Sequence, residues 1–322
     1  MTAANPLRLL WLSNIANSAG PRSMTTDRLL NKKSVTVNHP PIKGEFSLYV
    51  GNPKNTVAYF AHEADRFASA SFESLLQEEP RPELERSTGW MLIRGYYAAF
   101  FAMHALLRIH GWACTKISGT VVGSLNREID AIFPGSEKVE GGLYLLESVS
   151  GGSEVLLTRM DATLGGSHEV LWSLLGRYMK AVTDTALVDT TDAAANANLA
   201  VAIDGFLGLV QKKGGPNWFT QVRNRVNYSH DYGAWFPYTG SSCDTQRIAV
   251  RLGGWLMPPE TTLVDVAAEE LIQFSAACSF IVSLCRTTVE DLVFRSITKS
   301  PFRSSSGRLL TLARQPTTAN GR

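Results

Sequence analysis

One short stretch of this 322-residue chain concentrates residues able to work on a phosphodiester: Gln221-Val222-Arg223-Asn224-Arg225-Val226-Asn227-Tyr228-Ser229-His230-Asp231-Tyr232. Histidine gives or takes a proton near neutrality, with an ordinary pKa of about 6.5. Arginine carries a permanent charge on a planar fork that fits phosphate oxygens. Asparagine orients a ribose hydroxyl or a phosphate oxygen. Attack of a 2′-hydroxyl on its own phosphate needs a base, an acid for the leaving oxygen and a cation for the developing charge. The stretch has few core-forming residues, so packing alone does not account for it. Asn217, after Pro216, is a good helix cap. Helical spacing then aligns Arg223, Asn227 and His230 at i, i+4 and i+7. It turns Arg225 away from His230 by about 140°. Arg223 is therefore the expected partner of His230. One histidine serves one proton transfer, and a two-fold dimer brings two. Along one helix the Arg223 and His230 backbones lie about 10.5 Å apart, a gap that an antiparallel helix pair across the axis would close.

Other chemistries lack their signatures. There is no G-x-x-x-x-G-K-[ST], no G-x-G-x-x-G, no H-E-x-x-H and no G-x-S-x-G. The four cysteines, Cys114, Cys243, Cys278 and Cys285, form no C-x-x-C pair. A zinc ribbon, a dithiol redox motif and a disulfide-stapled secreted domain are disfavoured, and a reducing cytoplasmic setting is expected. Cys278 and Cys285 fall in an apolar periodic stretch and read as buried thiols. No metal site and no cofactor are expected.

The elements that must position Arg223 and His230 read as helices. Apolar residues are 44% of the chain and charged residues 19%, enough for a core and wrong for a disordered chain. Residues 1–54 look irregular, with a short strand at Phe46–Val50. A helix follows from Asn55, where Val57, Phe60, Ala64, Phe67 and Phe72 recur at helical spacing. Pro80 and Pro82 end it. A second helix, about 83–109, is apolar on several sides around Tyr96–Leu107, as a central bundle helix is. Glycines punctuate residues 112–165, read as a mixed insertion with a helix near Ser124–Ile132 and a strand near Leu143–Leu146. Helices are expected over His168–Thr185, about 192–212 and about 264–296, with a turn-rich stretch between Gly233 and Gly254. The tail from Pro301 is polar and reads as disordered. The expected fold class is all-α, a helical domain over residues 55–296. No run of about 20 apolar residues free of charge marks a membrane span.

Charge is uneven. Net charge is +2, yet residues 1–43 carry +5 and residues 292–322 carry +6, leaving −9 for the body. Basic ends suit RNA or another polyanion. The plainer reading is two solvated tails.

The Arg-Asn pair followed by His230, C-terminal to the helix Gly95-Tyr96-Tyr97-Ala98-Ala99-Phe100-Phe101-Ala102-Met103-His104-Ala105-Leu106-Leu107, resembles the HEPN domain family. That resemblance implies an all-helical bundle covering about residues 55–296. It implies a metal-independent endoribonuclease acting as a homodimer, in a bacterial toxin or antiphage defence system with an antitoxin or sensor partner. Arg223, His230 and Asn224 would be catalytic. Arg225, Asn227 and Tyr228 would contact RNA, and the aromatic neighbours Trp218, Tyr232 and Trp235 would stack on bases. Two readings compete with this one. A non-catalytic module of the same kind would bind RNA, a nucleotide or a protein, with His230 capping a helix end and Arg223 in a surface ion pair. A structural subunit would use the basic ends and the long C-terminal helix for docking. His104 reads as a hydrogen-bonded core histidine, and Glu63 and Asp65 as part of a solvated face.

Overall fold

The computed structural model describes residues 6–19, 24–76, 87–160, 165–229, 231–236, 240, 243–262 and 268–314. Its strands are β1 (Val35–Ile42), β2 (Glu45–Val50), β3 (Trp112–Ile117), β4 (Gly142–Val149) and β5 (Glu154–Arg159). They form one sheet in the order β1-β2-β5-β4-β3, antiparallel at every pairing. The all-α expectation is therefore wrong, and the fold is mixed α/β. The supposedly irregular front and the supposed insertion are two parts of this sheet. Window-by-window periodicity misses this because the join is long-range: Glu45 of β2 lies opposite Thr158 of β5. Register shifts between Val37 and His39, and between His39 and Ile42, also break the alternation of β1. The β1–β2 turn is local and strong. Lys43 and Gly44 hold φ of 53° and 79°, the left-handed pair whose twist suits a two-residue hairpin.

The helices in chain order are α1 (Thr26–Leu29), α2 (Pro53–Leu75), α3 (Thr88–Ile109), α4 (Gly119–Ile132), α5 (Ser167–Ser173), α6 (Leu175–Val188), α7 (Ala193–Lys212), α8 (Trp218–Asn224), α9 (Thr245–Gly253), α10 (Glu270–Arg295), α11 (Pro301–Ser304) and α12 (Ser306–Arg314). Their starts have local causes. Asn52 accepts from Lys54 N–H with Pro53 at the first position of α2. Asp192 accepts from Ala195 N–H at the start of α7. On the sheet side, Glu128 of α4 accepts the Val37 N–H at 2.9 Å, occupying a donor on the edge strand β1.

α3 is the centre of the helical layer, as its all-round apolarity predicts. It packs against α2 on one side and α10 on another. Tyr96, Phe100, Met103, His104, Leu107 and Arg108 are all buried along it. α10 is buried over almost its whole length, Cys278 and Cys285 included. Burial pushes both thiols far above their ordinary pKa and Cys114 up to about 11. Two helices, Ala193–Lys212 and Glu270–Arg295, are long and apolar enough to cross a membrane, against the sequence expectation of none. In the second, 94% of the apolar window is buried inside the protein's own core.

Three further expectations change. The helix expected over His168–Thr185 is two, α5 and α6, meeting at Leu174. The turn-rich stretch contains α9, whose start Asp244 caps by accepting from Arg247 N–H. The tail is ordered helix through Arg314, and residues 315–322 lie outside the described residues. Phe302 and Leu310 are buried there, and a polar anchor is Asp65 on α2, itself buried rather than on a solvated face. Its Oδ1 accepts from Ser306 N–H at 3.0 Å and Ser306 Oγ–H at 2.6 Å. Polar composition suggested solvation, but a buried carboxylate with two donors fixes the helix pair in place. Asp65→Ala leaves Ser306 unpaired in the interior. The expected cost is about 1–3 kcal/mol, with faster proteolytic cleavage between Pro301 and Arg314 before global unfolding. Limited proteolysis beside a thermal melt checks this.

Candidate functional site

The motif stretch folds as α8 followed by a π-helical turn, Arg225–Ser229. That turn changes the expected geometry. A π turn bonds i to i+5, so side chains past Asn224 leave the α-helical phase. The single face of Arg223, Asn227 and His230 therefore does not follow. His230 itself lies outside the described residues. Asn227 is half-buried, and Tyr228 is exposed on the surface.

Arg225, expected to contact RNA, is occupied within the chain. It donates to Glu270 Oε1 at 2.8 Å, and its guanidinium lies 5.1 Å from the centre of the Tyr232 ring. Glu270 also accepts from Trp218 Nε1–H at 3.0 Å and Tyr232 O–H at 2.7 Å. Burial raises the Glu270 pKa, but the donors from Arg225, Tyr232 and Trp218 outweigh it, so the carboxyl titrates below its usual range. Trp218 and Tyr232 are buried in this anchor and are not stacking platforms. Trp235 is half-buried, donates to Val226 O at 2.7 Å and meets the exposed Trp90 edge to face. The anchor ties the motif to α10.

Arg223 has different company. One arm of its fork donates to Asn224 Oδ1 at 2.7 Å. The other faces Tyr97 OH and His168 Nε2, each at 3.4 Å. The charge lies 5.5 Å from the Tyr96 ring centre and 5.8 Å from that of Tyr97, within cation–π range. Its Nε is buried and unbonded. Among the described residues no carboxylate lies within 4.0 Å of it. A half-buried guanidinium without a counter-ion favours an incoming anion, because its partial desolvation is otherwise uncompensated. Of the predicted catalytic residues, the structure brings Arg223 and Asn224 together.

His168 is the site residue that sequence reasoning missed. It stood only as the start of a helix, 55 residues before Arg223. Nothing in its own neighbourhood marks it. The one legible signal was the Tyr96-Tyr97-x-x-Phe100 face of α3, which receives it. His168 stacks on Phe100 at 4.4 Å, and its Nδ1 lies 2.8 Å from Tyr96 OH. Trp172 Nε1–H donates to the same hydroxyl at 3.2 Å.

His104 is a core histidine, as expected. Arg108 Nη1–H donates to its Nδ1 at 2.9 Å, and its ring stacks on Phe67 at 4.6 Å. Burial, then the charges of Arg108, Arg66 and His168, hold its pKa well below the ordinary value. Burial alone takes His110 to about 3. Burial, then Arg223, lowers His168, with Glu169 opposing. Each is neutral in the folded protein. Such groups give their full stabilisation above the unfolded pKa and lose it progressively as pH falls from that value through the lower folded one. The melting temperature therefore falls as pH drops from 7 toward 4. His110→Phe keeps a ring against Tyr178, now at 5.1 Å, and flattens that fall in thermal melts across pH.

The basic ends are partly spoken for. Arg8 and Arg295 both pair with Asp291, and Arg314 pairs with Glu290 at 2.6 Å. Arg8 and Arg314 tie their segments to α10, while the Arg295 pair lies within that helix. Among the described residues no three His, Cys, Asp or Glu side chains gather as metal ligands. Comparisons of the chain with protein-family models, with curated proteins and with solved structures return no match.

Proposed function

We propose that this protein binds RNA phosphodiesters at Arg223 and cleaves them, as a metal-independent endoribonuclease of HEPN type. The observation that carries the reading is the half-buried Arg223 fork, with no carboxylate against it among the described residues and an imidazole 3.4 Å away. A fixed cation beside a proton-transfer group is what a 2′-hydroxyl attack needs at the phosphate. Asn224 accepts from one arm of the fork at 2.7 Å, and the Arg223-Asn224…His230 resemblance supplies the family. The proposed setting is a bacterial toxin or defence component in the cytoplasm, acting as a homodimer with an antitoxin or sensor partner.

The deciding experiment is cleavage of a mixed RNA pool in EDTA, with wild type beside Arg223→Ala and His230→Ala. Loss in both variants supports the ribonuclease. A fully active His230→Ala protein removes the motif histidine from the mechanism. The second reading is a receptor that binds RNA without cutting it. It is favoured by one observation, that Arg223 is already hydrogen-bonded within its own chain. Retained RNA affinity with no cleavage by wild type selects it.

A further inference from the structure

His168 has a fixed orientation and a fixed tautomer. Its ring is held between Phe100, Tyr96 and Tyr97 of α3, at centroid distances of 4.4, 5.7 and 5.9 Å. A guanidinium offers only N–H donors, so Nε2 facing Arg223 presents its lone pair. The ring proton therefore sits on Nδ1 and is donated to Tyr96 OH. The phenol oxygen has two lone pairs and also takes the Trp172 N–H. The charged and titratable groups facing His168 are Arg223 from α8, Tyr96, Tyr97 and His104 from α3, and Glu169 beside it on α5.

The geometry points to His168 as the proton acceptor of the Arg223 site, taking the 2′-hydroxyl proton of the RNA. This rests on the ribonuclease reading above. When a phosphate enters the Arg223 fork, the long contact from Arg223 to Nε2 is given up and the lone pair is released toward the ribose. The O2′ proton moves to Nε2 as the O2′–P bond forms. The P–O5′ bond breaks, and the 5′-oxygen takes a proton from water. The imidazolium then returns its proton to solvent, leaving a 2′,3′-cyclic phosphate. The base comes from α5 of the same chain as Arg223.

The test uses the full chain and a single-stranded RNA oligonucleotide, with kcat, KM, RNA affinity and a pH profile measured for wild type, His168→Gln and His168→Phe. The Phe variant keeps the ring stack on Phe100 and lacks the base. Expected is a kcat loss of about 10²–10⁴-fold in both variants, with RNA affinity and melting temperature close to wild type. The wild-type acid limb lies below the ordinary histidine value, because burial and then Arg223 hold the imidazole neutral, and it disappears in both variants. Wild-type kcat in His168→Gln, or an unchanged acid limb, overturns the assignment. If Arg223→Ala is inactive in that same case, the ribonuclease reading survives without His168. A wild type that never cleaves ends both.

Discussion

On the proposed ribonuclease reading, Arg223→Ala is expected to weaken RNA cleavage strongly and to leave the protein folded. The expected loss in kcat/KM is about 10²–10³-fold, the effect of removing one positioned donor from developing negative charge. The fold tolerates the change because Arg223 pairs with no carboxylate among the described residues. Its removal costs hydrogen bonds to Asn224, Tyr97 and His168 and strands no buried anion. Arg225→Ala is the contrast. It takes one donor from Glu270, which keeps Trp218 and Tyr232, and it lowers the melting temperature while sparing chemistry. Arg223→Lys separates charge from shape. It keeps a cation but loses the planar fork, and it recovers RNA affinity more than kcat. Single-turnover cleavage, fluorescence anisotropy with labelled RNA and a thermal melt measure the three quantities. Wild-type cleavage by Arg223→Ala ends the proposal.

Trp172→Ala carries the largest expected stability loss, about 3–5 kcal/mol for deleting a fully buried tryptophan. Trp172 is wholly buried, stacks on Phe219 at 4.5 Å and donates to Tyr96 OH. The cavity opens beneath the site, so the Tyr96–His168 pair loses its support along with the core. Trp172→Phe keeps a six-membered ring but loses the N–H and part of the ring volume, and its expected cost is about 1–3 kcal/mol, below that of Ala. Urea unfolding of both variants at pH 7 measures the difference. A Trp172→Ala midpoint equal to wild type would show that the α3–α5–α8 junction does not hold the fold.

Much of the helical layer was legible. Val57, Phe60, Ala64, Phe67 and Phe72 repeat at 3.6 residues, and α2 lies where they predict. The apolar surround of Tyr96–Leu107 marked α3 as a central helix, and α2, α10, α8 and α5 do pack around it. The strand segments at Phe46–Val50 and Leu143–Leu146 were also visible one by one. Their membership of one sheet was not, because strand pairing is a relation between distant segments that no window contains. The site divides the same way. Arg223 and Asn224 were singled out from residue type and spacing. The ion pair of Arg225 could not be seen, because its partner Glu270 lies 45 residues on. Asp65 was misread because Ser306 lies 241 residues on.

The sequence by itself determined the local quantities: the positions of α2, α3, α7 and α10, and the burial of Cys278 and Cys285. Local backbone preference and the 3.6-residue period set these within a few turns of chain. The tertiary structure alone decided which charges are neutralised and which are left open. Arg225 meets Glu270 and is spent, while Arg223 meets Tyr97 and His168 and remains available for an anion. Two arginines separated by one residue part company because helix residues two apart point to nearly opposite sides, about 200° round, and only packing against α10, α3 and α5 supplies the neighbours each one meets.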